Sequence, residues 1–165
     1  MERHQLADYD ALGLPPDEDL RRVIARADTD SQFTDDLDQL GFELAPMSAD
    51  QLDCHAPKFF VVAMDGGGSA YGRYVDPQVA RTVGLPWVMW DHEDDALIFL
   101  AADTAAFFSG LIDFRCHHKP NDPSARRVRA VLTELGLQLG APGKSMPGFL
   151  AGKPAAWLPA GPLSH

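Results

Sequence analysis

The stretch FFVVAMDGGGSAYGRYV, residues 59–75, decides the fold. Phe59 to Met64 is a continuous apolar, β-prone run, the pattern of a strand buried on both faces. Asp65-Gly66-Gly67-Gly68-Ser69 forms a tight turn, and Ala70 to Val75 resumes as a strand, giving a hairpin. Three glycines between β-prone runs supply the positive φ that such a reversal needs. A phosphate loop would require a following Lys-Ser/Thr and a helix N-terminus behind it, and neither is present.

Downstream, Trp87-Val88-Met89-Trp90 predicts a second apolar strand, Asp91 to Asp95 its connector, and Ala96 to Leu100 the returning strand. Trp87 and Trp90, three apart, face opposite sides of a strand. One packs in the core; the other is capped by a helix, which makes both core and is the favoured reading, or is exposed as a binding anchor. Asp103 or Thr104 then caps a helix carrying Phe107, Phe108, Leu111 and Ile112, and Cys116 to Asn121 reads as a polar loop. Asp122-Pro123-Ser124 opens a last helix, with Val128, Val131, Leu132 and Leu135 inward and Arg126, Arg127 and Arg129 mostly outward.

Upstream, Pro15-Pro16 followed by Asp17-Glu18-Asp19 starts an amphipathic helix over roughly residues 16–28, carried by Leu20, Val23, Ile24 and Ala27. A second helical stripe, Phe33, Leu37 and Leu40, stops at Gly41. Phe42-Glu43-Leu44 alternates as a short strand ending before Pro46, and Ser48-Ala49-Asp50 suggests a turn or brief helix. Helices, antiparallel hairpins and helices again predict a single α+β domain. Residues 1–140 form that domain, an antiparallel sheet of hairpins flanked by N-terminal and C-terminal helices. Residues 141–165 form a Pro/Gly/Ala-rich tail packed on it or extending from it, with Phe149, Leu150 and Trp157 as anchors.

At 165 residues the chain buries on the order of two-thirds of its unfolded surface and needs no staple. Its hydrophobic fraction of 45% and charged fraction of 23% are ordinary for a globular protein. Two cysteines, Cys54 and Cys116, make no disulfide framework and read as thiols in a reducing compartment. The polar start, Met1 to Tyr9, has no signal-peptide layout, and the apolar-rich run Ala96–Ile112 is broken by Asp103, so a cytoplasmic chain with no membrane contact is expected.

Charge is unevenly placed. The net is −10, and residues 1–53, with 14 acids and 4 bases, match that value by themselves. Residues 120–165, with 2 acids and 5 bases, are net +3. Nucleic acid is a poor partner for such a chain, because phosphate binding needs a basic footprint. A basic protein partner, or solubility alone, fits better.

Chemical clusters are sparse. Asp91-His92-Glu93-Asp94-Asp95 could serve acid–base work or hold a hard cation, but it lacks the ligand order of an EF-hand, and adjacent turn residues point different ways. A solvated turn or a partner contact is the simpler reading. Cys54-His55, Cys116-His117-His118 and His92 could hold one zinc, yet adjacent ligands seldom reach a single tetrahedron. Cys116-His117 also lacks a third group to act as a nucleophile–base pair.

The ordered set of features is more specific than any one of them. Leu40-Gly41-Phe42 leads to Phe60-Val61-Val62-Ala63, then Asp65-Gly66-Gly67-Gly68 and Tyr71. Pro86-Trp87-Val88 and Trp90-Asp91-His92-Glu93 come next, then Phe99-Leu100-Ala101-Ala102-Asp103 with Phe107, Phe108 and Leu111. Over roughly Leu40–Leu111 this resembles the SUKH superfamily, which includes bacterial immunity proteins and a fungal cell-wall-synthesis regulator. Residues 28–41 lack that family's Asn-Gly-Gly turn, and the basic last helix and tail have no counterpart in it. The resemblance implies an antiparallel sheet flanked by helices, with no catalytic residues, metal or cofactor. It also implies a non-enzymatic role: binding and neutralising a toxin domain, often a nuclease.

The acidic first third would suit a basic toxin, since complementary charge steers encounter. Candidate contacts are the Asp65–Ser69 turn, notably Asp65, with Tyr71 at the first hairpin, Trp90, Asp91, His92, Glu93, Asp94 and Asp95 at the second, and helix acids Asp17–Asp19 or Asp35–Asp38, notably Asp17 and Asp35. The chain would act as a monomer or homodimer. The alternatives are a scaffold or regulatory domain and a metal-dependent hydrolase built on His92, Glu93, Cys116 and His118.

Overall fold

In the computed structural model, which describes residues 9–44, 54 and 58–145, five helices begin where an aspartate can cap them. Helix α1 spans Glu18–Thr29, with Asp17 accepting from the Leu20 amide at 2.9 Å. Helix α2, Ser31–Gln39, is capped by Asp30, which accepts from the Phe33 amide at 3.1 Å. Such caps satisfy amides that the first helical turn leaves without partners. Gly41, at φ 75°, ends α2 in the left-handed region and turns the chain into strand β1, Glu43–Leu44.

Strands β2, Phe59–Met64, and β3, Ala70–Tyr74, form the expected first hairpin. Helix α3, Pro77–Val83, follows where no helix is predicted from periodicity; Asp76 caps it and Pro77 sits in its first turn. Strands β4, Trp87–Asp91, and β5, Ala96–Ala101, form the second hairpin. Helix α4, Thr104–His118, is capped by Asp103 through the Ala106 amide at 2.8 Å. It runs through Cys116, His117 and His118, which are its last turn and not part of a polar loop. Phe114, one turn earlier, holds an edge-on contact with His118 at 4.5 Å. Helix α5, Pro123–Glu134, is capped by Asp122. The expected turn at Ser48–Asp50, His55, and the anchors Phe149, Leu150 and Trp157 lie outside the described residues.

The five strands pair in chain order, β1-β2-β3-β4-β5, every pair antiparallel. This is the anticipated α+β fold: one domain, with a central antiparallel sheet and helices before and after it. Alternation sends Phe60, Val62, Tyr71, Trp87 and Leu100 to the face packed by α1, α2, α4 and α5. Phe59, Val61, Ala70, Val88, Trp90 and Leu97 go to the other face, with Cys54 and Val79 of α3. The two tryptophans do lie on opposite faces, and both are buried, Trp87 at 0% and Trp90 at 6% exposure. Trp87 stacks on Phe107 at 4.1 Å, and Phe42 sits within 6.2 Å of both Trp87 and Phe108. Each such large side chain contributes about 1.5–3 kcal/mol of burial.

Ion pairs tie the helices. Arg127 of α5 donates to both carboxylate oxygens of the buried Asp36 on α2, at 2.8 and 2.6 Å. That guanidinium holds the Asp36 carboxyl below its ordinary range, against the upward push of burial. Asp76 is lowered likewise by Lys58. For Asp122, burial pushes upward, but Arg115 and the Ser124 and Ala125 amides outweigh it. Folded values below the unfolded value of about 3.9 mean that the unfolded chain binds more protons in the interval between them. The stability these carboxylates confer is therefore complete above about pH 4 and lost as pH falls through the folded values. Urea unfolding midpoints are expected to drop below about pH 4, and Asp36→Asn should remove part of that pH slope.

Candidate partner-binding surface

Pairing of β3 with β4, with Ala70 opposite Trp90, brings the turn after β2 and the turn after β4 to the same end of the sheet. In the first turn Asp65 Oδ1 accepts from the amides of Gly67 at 2.7 Å and Ser69 at 3.0 Å. In the second, Asp91 Oδ1 accepts from the Glu93 amide at 3.0 Å. These local bonds are why aspartate suits each position.

A side-chain bridge then joins the two turns. Ser69 Oγ lies 3.0 Å from His92 Nδ1, and the His92 amide points at the same oxygen at 3.4 Å. The imidazole lies over Gly68, where an added Cβ would stand 3.3 Å from three ring atoms and φ is 111°. A serine–histidine pair at this distance has the reach of a nucleophile and its base. Here Ser69 is buried and also engaged by the His92 amide, so the contact fastens two loops.

His92, Glu93 and Asp94 are exposed at the joined tip, and Asp65 and Asp91 are half-buried beside them. Helix α2 arrives at the same end: Glu43 pairs with Met64, and a Cβ on Gly41 would stand 3.4 Å from the Asp65 carbonyl. Asp35, Asp38 and Glu43, all exposed, extend the acidic surface from that side. The flanking segments 36–44, 61–72 and 86–101 contain no lysine or arginine. What the arrangement offers is a rigid, hydrogen-bond-accepting, negatively charged edge.

Four expected contacts are corrected. Tyr71 is a core residue, its ring 6.1 Å from Phe42 and 5.5 Å from Phe107. Burial, and then the Asp65 charge, push its phenol up to about 12. Its position on β3 points it to the helix face. Trp90 is buried on the opposite face and donates through Nε1 to Asp95 Oδ1 at 2.8 Å. That bond takes Asp95 Oδ1, Oδ2 is shut off from solvent, and Asp95 adopts a left-handed φ of 45° to close the turn. Asp17 lies away from the tip, where it caps α1 and pairs with the buried Arg73.

Glu43 belongs to the tip without having been anticipated, while Ser69 closes the expected Asp65–Ser69 turn. Strand pairing alone places Glu43 there, and the same cause, the β3–β4 pairing, brings Ser69 to His92.

The hydrolase set does not assemble. His92 and Glu93 sit at the tip, Cys116 and His118 in the last turn of α4, and among the described residues no group of three or more His, Cys, Asp or Glu could hold a metal ion. Burial, and then the charges of Asp113 and Asp122, push the Cys116 thiol up, away from the reactive thiolate. Among the described residues no helix is long and apolar enough to cross a membrane. Comparison with protein-family models, with curated proteins and with solved structures finds no significant match to this chain.

Proposed function

We propose that this chain is a non-enzymatic, SUKH-type immunity protein that docks its acidic hairpin end onto a basic toxin domain, a nuclease being the partner best suited, and blocks it. The single observation that carries this reading is the joining of both hairpin turns into one acidic tip by the β3–β4 pairing and the Ser69–His92 contact. Carboxylates held on short, fastened turns lose little freedom on binding, so more of the electrostatic attraction is kept. Acidic surface of this kind steers a basic partner and accelerates encounter. Cys54 and Cys116, which form no disulfide, suit the reducing cytoplasm in which such a protein would meet its target.

The test is co-expression with the product of an adjacent toxin gene, scoring both complex formation and survival. Glu93→Lys with Asp94→Lys is expected to slow association about tenfold or more at low salt, with the difference shrinking as ionic strength rises. Loss of neither binding nor protection in that double variant would remove the tip as the docking site. Failure of the parent chain to bind any neighbouring toxin would remove the immunity role.

A further inference from the structure

Helices α4 and α5 diverge enough to leave a cavity of about 410 Å³ between them and residues 142–143. Its walls are largely apolar, from Ile112, Cys116, Ala125 and Pro142, and the stems of Arg126 and Arg129 add to them. The size falls within the range of roughly 300–1,000 Å³ typical of small-molecule sites. The outer wall is held in place by a buried acid. Asp113 accepts from the Gly143 amide at 2.9 Å and the Ser145 amide at 2.8 Å, while Arg129 Nη1 donates to the Gly140 carbonyl at 3.0 Å.

That clasp has one loose end. Arg129 Nη2 is screened from solvent yet has no hydrogen-bond partner. It stands 3.7 Å from Asp113 Oδ1, beyond bonding range, and both Asp113 oxygens are already taken by amides. A buried donor without an acceptor costs about 1–3 kcal/mol; this one has no surface open to the chamber, so a ligand there would meet the charge of Arg129 and not this hydrogen. Arg126 and His117, both exposed, add cationic or titratable groups to the lining. A largely apolar chamber lined by two arginines and one acid, Asp113, whose oxygens are held by the Gly143 and Ser145 amides, fits a molecule with an apolar body and a single anionic head.

We propose that this cavity is a binding site for a small amphipathic carboxylate, its hydrocarbon against Ile112, Cys116, Ala125 and Pro142 and its carboxylate on Arg126 and Arg129. The site is separate from the acidic tip and does not depend on the toxin reading.

Octanoate is the probe, titrated into the isotope-labelled full chain, with acetate and octan-1-ol supplying the head and the body alone. Octanoate should shift the amides of Cys116, Ala125 and Gly143 in a saturable way and bind at least about tenfold tighter than either control, a difference of ~1.4 kcal/mol. Cys116→Trp, which fills the chamber from a half-buried position, should abolish binding. Arg126→Met should cut affinity several-fold, and because Arg126 is exposed it tests the charge even if the tryptophan variant misfolds. Absence of saturable shifts at these amides overturns the proposal. So does octan-1-ol binding as tightly as octanoate, or octanoate binding unchanged in a folded Cys116→Trp or in Arg126→Met.

Discussion

Replacing Arg73 with methionine is expected to destabilise the fold by about 3–5 kcal/mol, the usual consequence of removing one partner from a buried ion pair. Arg73 is 4% exposed, and its charge is met from four directions. It pairs with Asp17 at the start of α1, donates through Nε to the Leu85 carbonyl at 2.8 Å, donates through Nη1 to Thr104 Oγ1 at 3.0 Å, and lies 5.2 Å from the Trp87 ring centre. Thr104 Oγ1 also receives the Trp87 Nε1 proton at 3.0 Å and donates to Asp17 at 2.6 Å. One guanidinium thus joins α1, β3, the loop before β4 and the first turn of α4.

Burial, partly countered by the Tyr9 and Asp103 charges, lowers the Arg73 pKa to about 10, well above neutrality, so the cation persists at pH 7. Methionine would fill much of the space but leave the Asp17 carboxylate, 12% exposed, without its cation, and that residual charge accounts for most of the loss. Lysine should recover less than half, because a point charge cannot reproduce the planar fork. Urea denaturation of the three proteins measures this. A loss below about 1 kcal/mol for Arg73→Met would mean that water replaces the network at little cost.

Gly72→Ala should be nearly as damaging, at about 3 kcal/mol or more, for a steric reason. A Cβ at that position would lie 2.0 Å from the Phe60 carbonyl oxygen, 2.9 Å from its carbonyl carbon and 2.7 Å from a Phe59 ring carbon. Two of those atoms are backbone in the neighbouring strand and cannot step aside without parting β2 from β3. The register irregularity between Val61 and Ala63 on β2 lies beside this contact, since Gly72 pairs with Val61. Glycine here permits close approach of two chains. The control is Gly67→Ala at the exposed turn, where the nearest atom would be a carboxylate oxygen at 3.4 Å, and a change within about 1 kcal/mol is expected. Equal thermal shifts for the two variants would contradict the argument.

Local chemistry made much of this protein legible. A run of apolar β-formers, a glycine turn and a second run can form little except a hairpin, and both hairpins stand where the residues place them. Asp17, Asp103 and Asp122 announce helix starts because an N-cap works through bonds to amides two or three residues on. Helix α3 carries the same signal, Asp76-Pro77, but seven residues are too few to display a period. The last turn of α4 looked polar because it ends in histidines, whereas its length is set by packing of Phe114 and by Arg115 reaching Asp122.

Sequence by itself therefore determined the order and kind of most elements, the division of Trp87 and Trp90 between faces, and the two acidic turns. Tertiary structure alone decided which acids remain outside. Asp17 meets a base 56 residues away and Asp36 one 91 residues away, and both become internal ties. Tyr71 and Trp90 likewise became core once helices and strands closed over them, while Ser69 and His92 met across strands that the chain separates by 23 positions. Whether a carboxylate or ring faces water depends on which distant element lands on it, and a linear pattern of period and propensity carries no information about that landing.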